Sequence, residues 1–144
     1  MSKVQNVFLI GAKSLGAYGG YETFVYKLTE YHQNNPNIKY HVACKANGDG
    51  CMDETKLDNV KRVSDSEFEF HNARCFKIHI PQIGPAQAIY YDVAALRECC
   101  KYIKKNNIEN PIVYIMACRI GPFAKHFYKE IHRLGGKVYL NPDG

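Results

Sequence analysis

Residues 7–24 constrain this chain more than any other stretch. Val7-Phe8-Leu9-Ile10 is apolar without a break, Gly11 stops the run, and Gly16, Gly19 and Gly20 punctuate the segment before a helical pattern begins. Strand, glycine loop, helix is the arrangement that presents backbone N–H groups at a helix N-terminus to a phosphate or a sugar. The apolar run is too continuous for a half-exposed strand, so it belongs in the centre of a parallel sheet.

The rest of the chain repeats that alternation. A first strand is expected over 4–10 and a helix over 20–33, with Tyr21, Phe24, Val25, Leu28 and Tyr31 on its inward face at three- and four-residue spacing. Asn34-Asn35-Pro36 ends it. A second strand over 38–44 puts Tyr40, Val42 and Cys44 on one side, and a polar turn-rich stretch follows over 45–51. Residues 52–67 show no period. Residues 68–80 read as two short strands about a turn at 71–74, the second running over 75–80 to Pro81. A long helix over 86–105 has Ile89, Val93, Leu96, Cys100 and Ile103 inward, with Lys101, Lys104 and Lys105 on the favourable side of its dipole. A central strand over 111–118 follows. Gly121-Pro122 then opens a helix on which Phe123, Phe127, Ile131 and Leu134 cover the sheet. Gly135-Gly136 caps it before a last strand over 137–140. The fold class is α/β: a Rossmann-like parallel sheet flanked by helices, with its ligand crevice at the C-terminal ends of the strands.

Composition narrows the function classes. The chain has 144 residues, enough for one domain with a real core. It carries neither a membrane-spanning apolar run nor a signal peptide, so a cytoplasmic location is expected. The six cysteines fall partly in apolar runs and form no paired C-x-x-C knuckle, so they read as structural thiols; no metal is expected. The net charge of +5 suits a phosphorylated small molecule or an anionic membrane surface, whereas scattered Lys and Arg argue against nucleic acid.

Five loops should converge on the crevice: 11–20, the one after Cys44, 81–86, 117–122 and 141–144. In the first, Gly16, Gly19 and Gly20 permit close ligand approach and Lys13 can pair with phosphate. Glu22 stands in the first helical turn, where a cleft role and ordinary helix-end chemistry are both open. Arg119 sits between a strand and a helix start, as a surface residue or an anion partner. His79 reads as a structural imidazole opposite Ile78 and Ile80, and His41 has no role. Two familiar uses fail. Gly11 and Gly16 are too widely spaced for G-x-G-x-x-G, and no Gly-Lys-Ser/Thr follows Lys13.

Gly11-Ala12-Lys13-Ser14-Leu15-Gly16-Ala17-Tyr18-Gly19-Gly20-Tyr21-Glu22-Thr23-Phe24-Val25 resembles the first-loop motif of bacterial GT-B retaining glycosyltransferases. The nearest set is the rhamnosyltransferase-like enzymes of family 4, which build capsule and cell-wall polysaccharide. The tail Lys137-Val138-Tyr139-Leu140-Asn141-Pro142-Asp143-Gly144 resembles the Asp-Gly-containing segment that closes the acceptor-side domain, and the likeness spans residues 1–144 as the N-terminal half of such an enzyme. Ser14 and Gly16 depart from the family's usual glycine and proline.

The resemblance implies a sugar moved from a nucleotide-diphosphate donor to a lipid-linked saccharide acceptor, with no metal. It implies a second, donor-binding domain beyond this chain, with the E-x7-E glutamates, and peripheral contact with the inner face of the membrane. Gly19 and Gly20 would lie near the diphosphate, Tyr18 and Glu22 near the cleft, and Asp143 by the interdomain boundary. One lobe alone would transfer nothing. Two alternatives stay open: a self-contained domain binding another phosphorylated compound, and a non-catalytic interaction domain.

Overall fold

A computed structural model of the chain describes residues 4–15, 20–48, 50–116 and 123–140. Its elements alternate as β1 (Gln5–Ile10), α1 (Gly20–His32), β2 (Ile38–Lys45), β3 (Lys61–Arg62), β4 (Glu67–Phe70), β5 (Ala73–Ile78), α2 (Gln87–Lys105), β6 (Ile112–Ile115), α3 (Ala124–Arg133) and β7 (Lys137–Leu140). They form one mixed sheet in the order β3-β4-β5-β2-β1-β6-β7. The five strands from β5 to β7 are parallel, while β3 and β4 extend the sheet antiparallel. This is the expected α/β Rossmann-like arrangement, with an antiparallel hairpin added at one edge.

β1 is central because both its faces are buried. Phe8 and Ile10 join a core with Ala43, Val113, Ile115 and the inward residues of α2 and α3; Leu9 joins a second core with Val25 of α1, Tyr40, Val42 and Cys44. Each fully buried side chain of this size contributes about 1.5–3 kcal/mol. Chain direction decides the layering. α1 leads from β1 outward to β2 on one face, and α2 carries the chain back across the sheet from β5 to β6 on the other.

Several expectations need correction. Phe24 and Tyr31 do not face the core: they are 43% and 84% exposed, and Thr29 is buried instead, its Oγ1 donating to Val25 O at 2.9 Å. Helical spacing alone did not reveal that the hydroxyl could be satisfied within the helix. On α2, Ile89 is exposed and the buried stripe runs through Tyr91, Asp92, Ala95, Leu96, Cys99, Cys100 and Ile103. Phe123 likewise stands exposed, and Phe127 and Ile131 alone cover the sheet with full burial. The hairpin turn is only 71–72, with His71 and Asn72 at positive φ, so Ala73 and Arg74 belong to β5, which ends at Ile78. Residues 52–67 contain a 3-10 turn at Glu54–Lys56 and the whole of β3. The expected α3 start at Gly121-Pro122 lies outside the described residues. At its other end Gly135 N–H reaches His132 O at 3.0 Å and Gly136 N–H reaches Ile131 O at 2.9 Å, the expected glycine cap.

Four of the six cysteines, Cys44, Cys75, Cys99 and Cys100, are buried thiols, whereas Cys51 is exposed. Burial pushes the Cys99 thiol well above its usual range.

Candidate functional site

The strand order turns at β1. From there the chain goes one way to β2 and β5 and the other way to β6 and β7, so the switch point lies between the C-terminal ends of β1 and β6. Ligand crevices of open α/β sheets form at such points. The loop after β1 begins at Gly11, whose φ of 123° is a conformation that side chains disfavour, and it leaves the sheet there.

The described part of that loop, residues 11–15, is held by several elements. Lys13 N–H donates to Glu22 Oε2 at 3.0 Å, tying the loop to the first turn of α1. Lys13 O accepts from Lys45 N–H at 2.8 Å at the end of β2. Ala12 O accepts from the Tyr91 hydroxyl of α2 at 2.5 Å. Met116 N–H, just past β6, donates to Ile10 O at 2.8 Å. The Leu15 N–H points at Met52 Sδ, 3.4 Å away. The Lys13 stem lies over Gly50, where a Cβ would come within 2.8 Å of its Cδ. Residues 11–15 are thereby fixed before any ligand arrives.

Two details of the loop matter chemically. Gly20, the first residue of α1, has nothing among the described residues within 4 Å of the place a Cβ would take. Packing against the described residues therefore does not require glycine there. Ser14 is 2% exposed, and its Oγ has no hydrogen-bond partner among the described residues. A buried hydroxyl without a partner is costly, on the order of 1–3 kcal/mol, so one at a switch point is suited to meet a ligand or water oxygen.

The walls were less legible in the sequence. Lys45 is 7% exposed although it ends β2, and its ammonium and the Gln82 side-chain amide both lie near Gly48. Asn47 grips the segment after β5: its Nδ2 donates to Ile80 O and its Oδ1 accepts from Ile80 N–H, both at 2.8 Å. Asp92 is fully buried next to Tyr91. The signal for Asp92 was present as an acidic residue inside an otherwise apolar helical stripe. Lys45 gave no signal, because a lysine after a strand reads as the first loop residue.

A family model described as "Domain of unknown function (DUF1972)" matches residues 4–144. The chain belongs to the DUF1972 family. No curated protein matches it.

In this DUF1972 chain the structure brings three of the expected site residues together: Lys13, Glu22 and Gly20 share the loop–helix junction. Gly16, Tyr18, Gly19, Arg119 and Asp143 lie outside the described residues. His79 is exposed, opposite the buried Ile78 and Ile80, and has no hydrogen-bond partner among the described residues, so it is not the satisfied structural imidazole expected. That part belongs to His41. It is 1% exposed, stacks on Phe8 with centroids 4.3 Å apart, accepts from Arg74 Nε at Nδ1 (2.8 Å) and meets Asn6 Oδ1 through Nε2 (2.8 Å). Burial, then the charges of Arg74 and Lys39, push its pKa down to about 3. The DUF1972 imidazole is thus neutral, with its proton on Nε2.

Among the described residues, no group of three or more His, Cys, Asp or Glu is placed to hold a metal ion, and no helix is long and apolar enough to cross a membrane.

Proposed function

We propose that this chain is the acceptor-side half of a GT-B retaining glycosyltransferase of the family 4, rhamnosyltransferase-like kind. The enzyme would move a sugar such as rhamnose from a nucleotide-diphosphate donor to a lipid-linked saccharide in surface polysaccharide synthesis. The observation that carries the reading is the loop–helix junction at the switch point, where Glu22 fixes the Lys13 amide and no described residue stands within 4 Å of where a Gly20 Cβ would be. Membership of DUF1972, associated with glycosyltransferase N-termini, supports it.

The chemistry follows from charge. As the glycosidic bond to the donor breaks, negative charge develops on the departing diphosphate. Backbone N–H groups at a helix start and a nearby lysine stabilise that charge without a metal. On this reading Gly16, Gly19 and Gly20 let the diphosphate close on the loop, and Lys13 and Arg119 supply positive charge. Ser14 Oγ offers a hydrogen bond, Tyr18 and Glu22 border the cleft, and Asp143 faces the second domain. That domain holds most of the donor, so these 144 residues alone bind weakly and transfer nothing. The acceptor's lipid carrier places the enzyme at the cytoplasmic face of the membrane. Incubating the full-length protein with nucleotide-sugars and acceptor lipid, and following release of nucleoside diphosphate, tests the proposal.

A further inference from the structure

A second concave region lies away from the crevice, between α2 and the β4–β5 hairpin. It encloses about 660 Å³ and runs from His79 and Tyr90, at the C-terminal side of the sheet, down to Arg74 and Lys105. From Tyr90 to Lys105 the helix alone spans about 22 Å, at roughly 1.5 Å per residue.

Its floor is an arginine built in place. Arg74 is 8% exposed, and its guanidinium carbon lies 3.7 Å from the Tyr102 ring centroid and 4.7 Å from that of Phe76. Nε is committed to His41 and Nη1 to Glu67 Oε1 at 3.1 Å, while Nη2 has no acceptor among the described residues. His41, neutral and itself held by Asn6, orients the guanidinium, and Glu67 is the carboxylate that pairs with it. Arg97, Lys101 and Lys105 stand along the α2 wall and Lys77, paired with Glu54, on the β5 side, so five cations line the groove against the carboxylates of Glu67 and Glu98. Arg97 and Lys105 have no carboxylate partner among the described residues, and the Lys101–Glu98 contact is an exposed 3.6 Å pair of little consequence. Tyr90, 43% exposed, and the half-buried Tyr102 add aromatic surface to the same wall.

We propose that this groove binds an acidic oligosaccharide, with Arg74 holding a carboxylate and Tyr90 and Tyr102 supporting sugar rings. The choice of a saccharide rests on the glycosyl-transfer reading; the choice of an anion rests on the groove itself. A planar fork with a free edge suits a carboxylate, and the concave, elongated shape suits a single chain better than the flat surface of a bilayer. The end at His79 and Tyr90 opens on the side of the sheet where the crevice lies, so a growing acidic chain can lie in the groove with its terminus directed there.

Isothermal titration of the 144-residue chain with tetragalacturonate at low ionic strength tests this, with neutral maltotetraose and phosphatidylglycerol vesicles as the other two arms. Binding of tetragalacturonate alone is expected, weakened by added salt and by about tenfold or more in the Arg97→Ala, Lys101→Ala double variant, whose exposed positions leave the fold intact. Arg74→Lys, which keeps the charge but loses the fork, should weaken binding as well. The proposal is overturned if tetragalacturonate does not bind, if maltotetraose binds equally, if the double variant binds unchanged, or if the vesicles bind in its place. No nucleotide-sugar enters the experiment, so failure of the groove and failure of the transferase reading are read separately.

Discussion

The Lys13 amide donates to the Glu22 carboxylate across 3.0 Å, joining the loop after β1 to the first turn of α1. A first-turn glutamate ordinarily serves its own helix. Here it reaches nine residues back to the Lys13 amide instead, so the helix start and the backbone at Lys13 are tied together.

Glu22→Ala should therefore loosen the loop. A part-buried hydrogen bond to a charged acceptor is lost, for about 1–2 kcal/mol of stability by denaturant titration, and donor affinity in the full-length protein should fall with it. Glu22→Gln retains an acceptor oxygen and should recover most of both. Equal effects from the two substitutions would show that the carboxylate's charge, and not its hydrogen bond, matters.

Ser14→Ala separates stability from function. The hydroxyl is buried without a partner among the described residues, so removing it should leave stability unchanged or raise it by up to about 1 kcal/mol. If Ser14 Oγ meets the diphosphate, the same variant binds donor more weakly. A variant that is less stable and binds donor normally would place Ser14 in the protein's own packing.

Stability should fall with acid before the carboxylates titrate. The folded pKa of His41, about 3, lies below the unfolded value of 6.5, so the unfolded chain takes up the proton first. The stabilisation is complete above about pH 6.5 and is lost toward pH 3, at up to about 1.4 kcal/mol per pH unit. His71, also depressed by burial, acts in the same direction, whereas Glu130, held near 2 by Lys104 and Arg133, contributes only below its ordinary 4.5. Comparing the pH dependence of wild type with that of His41→Asn between pH 7 and 5 isolates His41. Parallel curves would contradict its assignment as a buried neutral base.

The layered fold was legible because β1, β2, β6 and the long α2 carry strong apolar periodicity, and the glycine loop marked the switch point without help. What the sequence concealed were long-range polar pairings. His41 looked idle because its partners, Asn6 and Arg74, come from strands on either side of it, 35 and 33 residues away. Phe24, Ile89 and Phe123 were placed inward because periodicity registers that a residue is apolar and not whether a neighbouring element covers it. The groove was invisible for the same reason, since Arg74 and Tyr102 meet only across the β5–α2 packing.

The central claim is that the start of α1 receives the diphosphate of a nucleotide-sugar. Gly20→Val in the full-length protein is the direct test, because a Cβ there meets nothing within 4 Å among the described residues and the fold should tolerate it. The measurement is nucleoside diphosphate release from a panel of nucleotide-sugars with acceptor lipid present, alongside thermal unfolding. The account predicts turnover by wild type, a loss of about tenfold or more in Gly20→Val with an unchanged unfolding temperature, and none from residues 1–144 alone. Full activity in Gly20→Val, or turnover by the 144-residue chain, would contradict it.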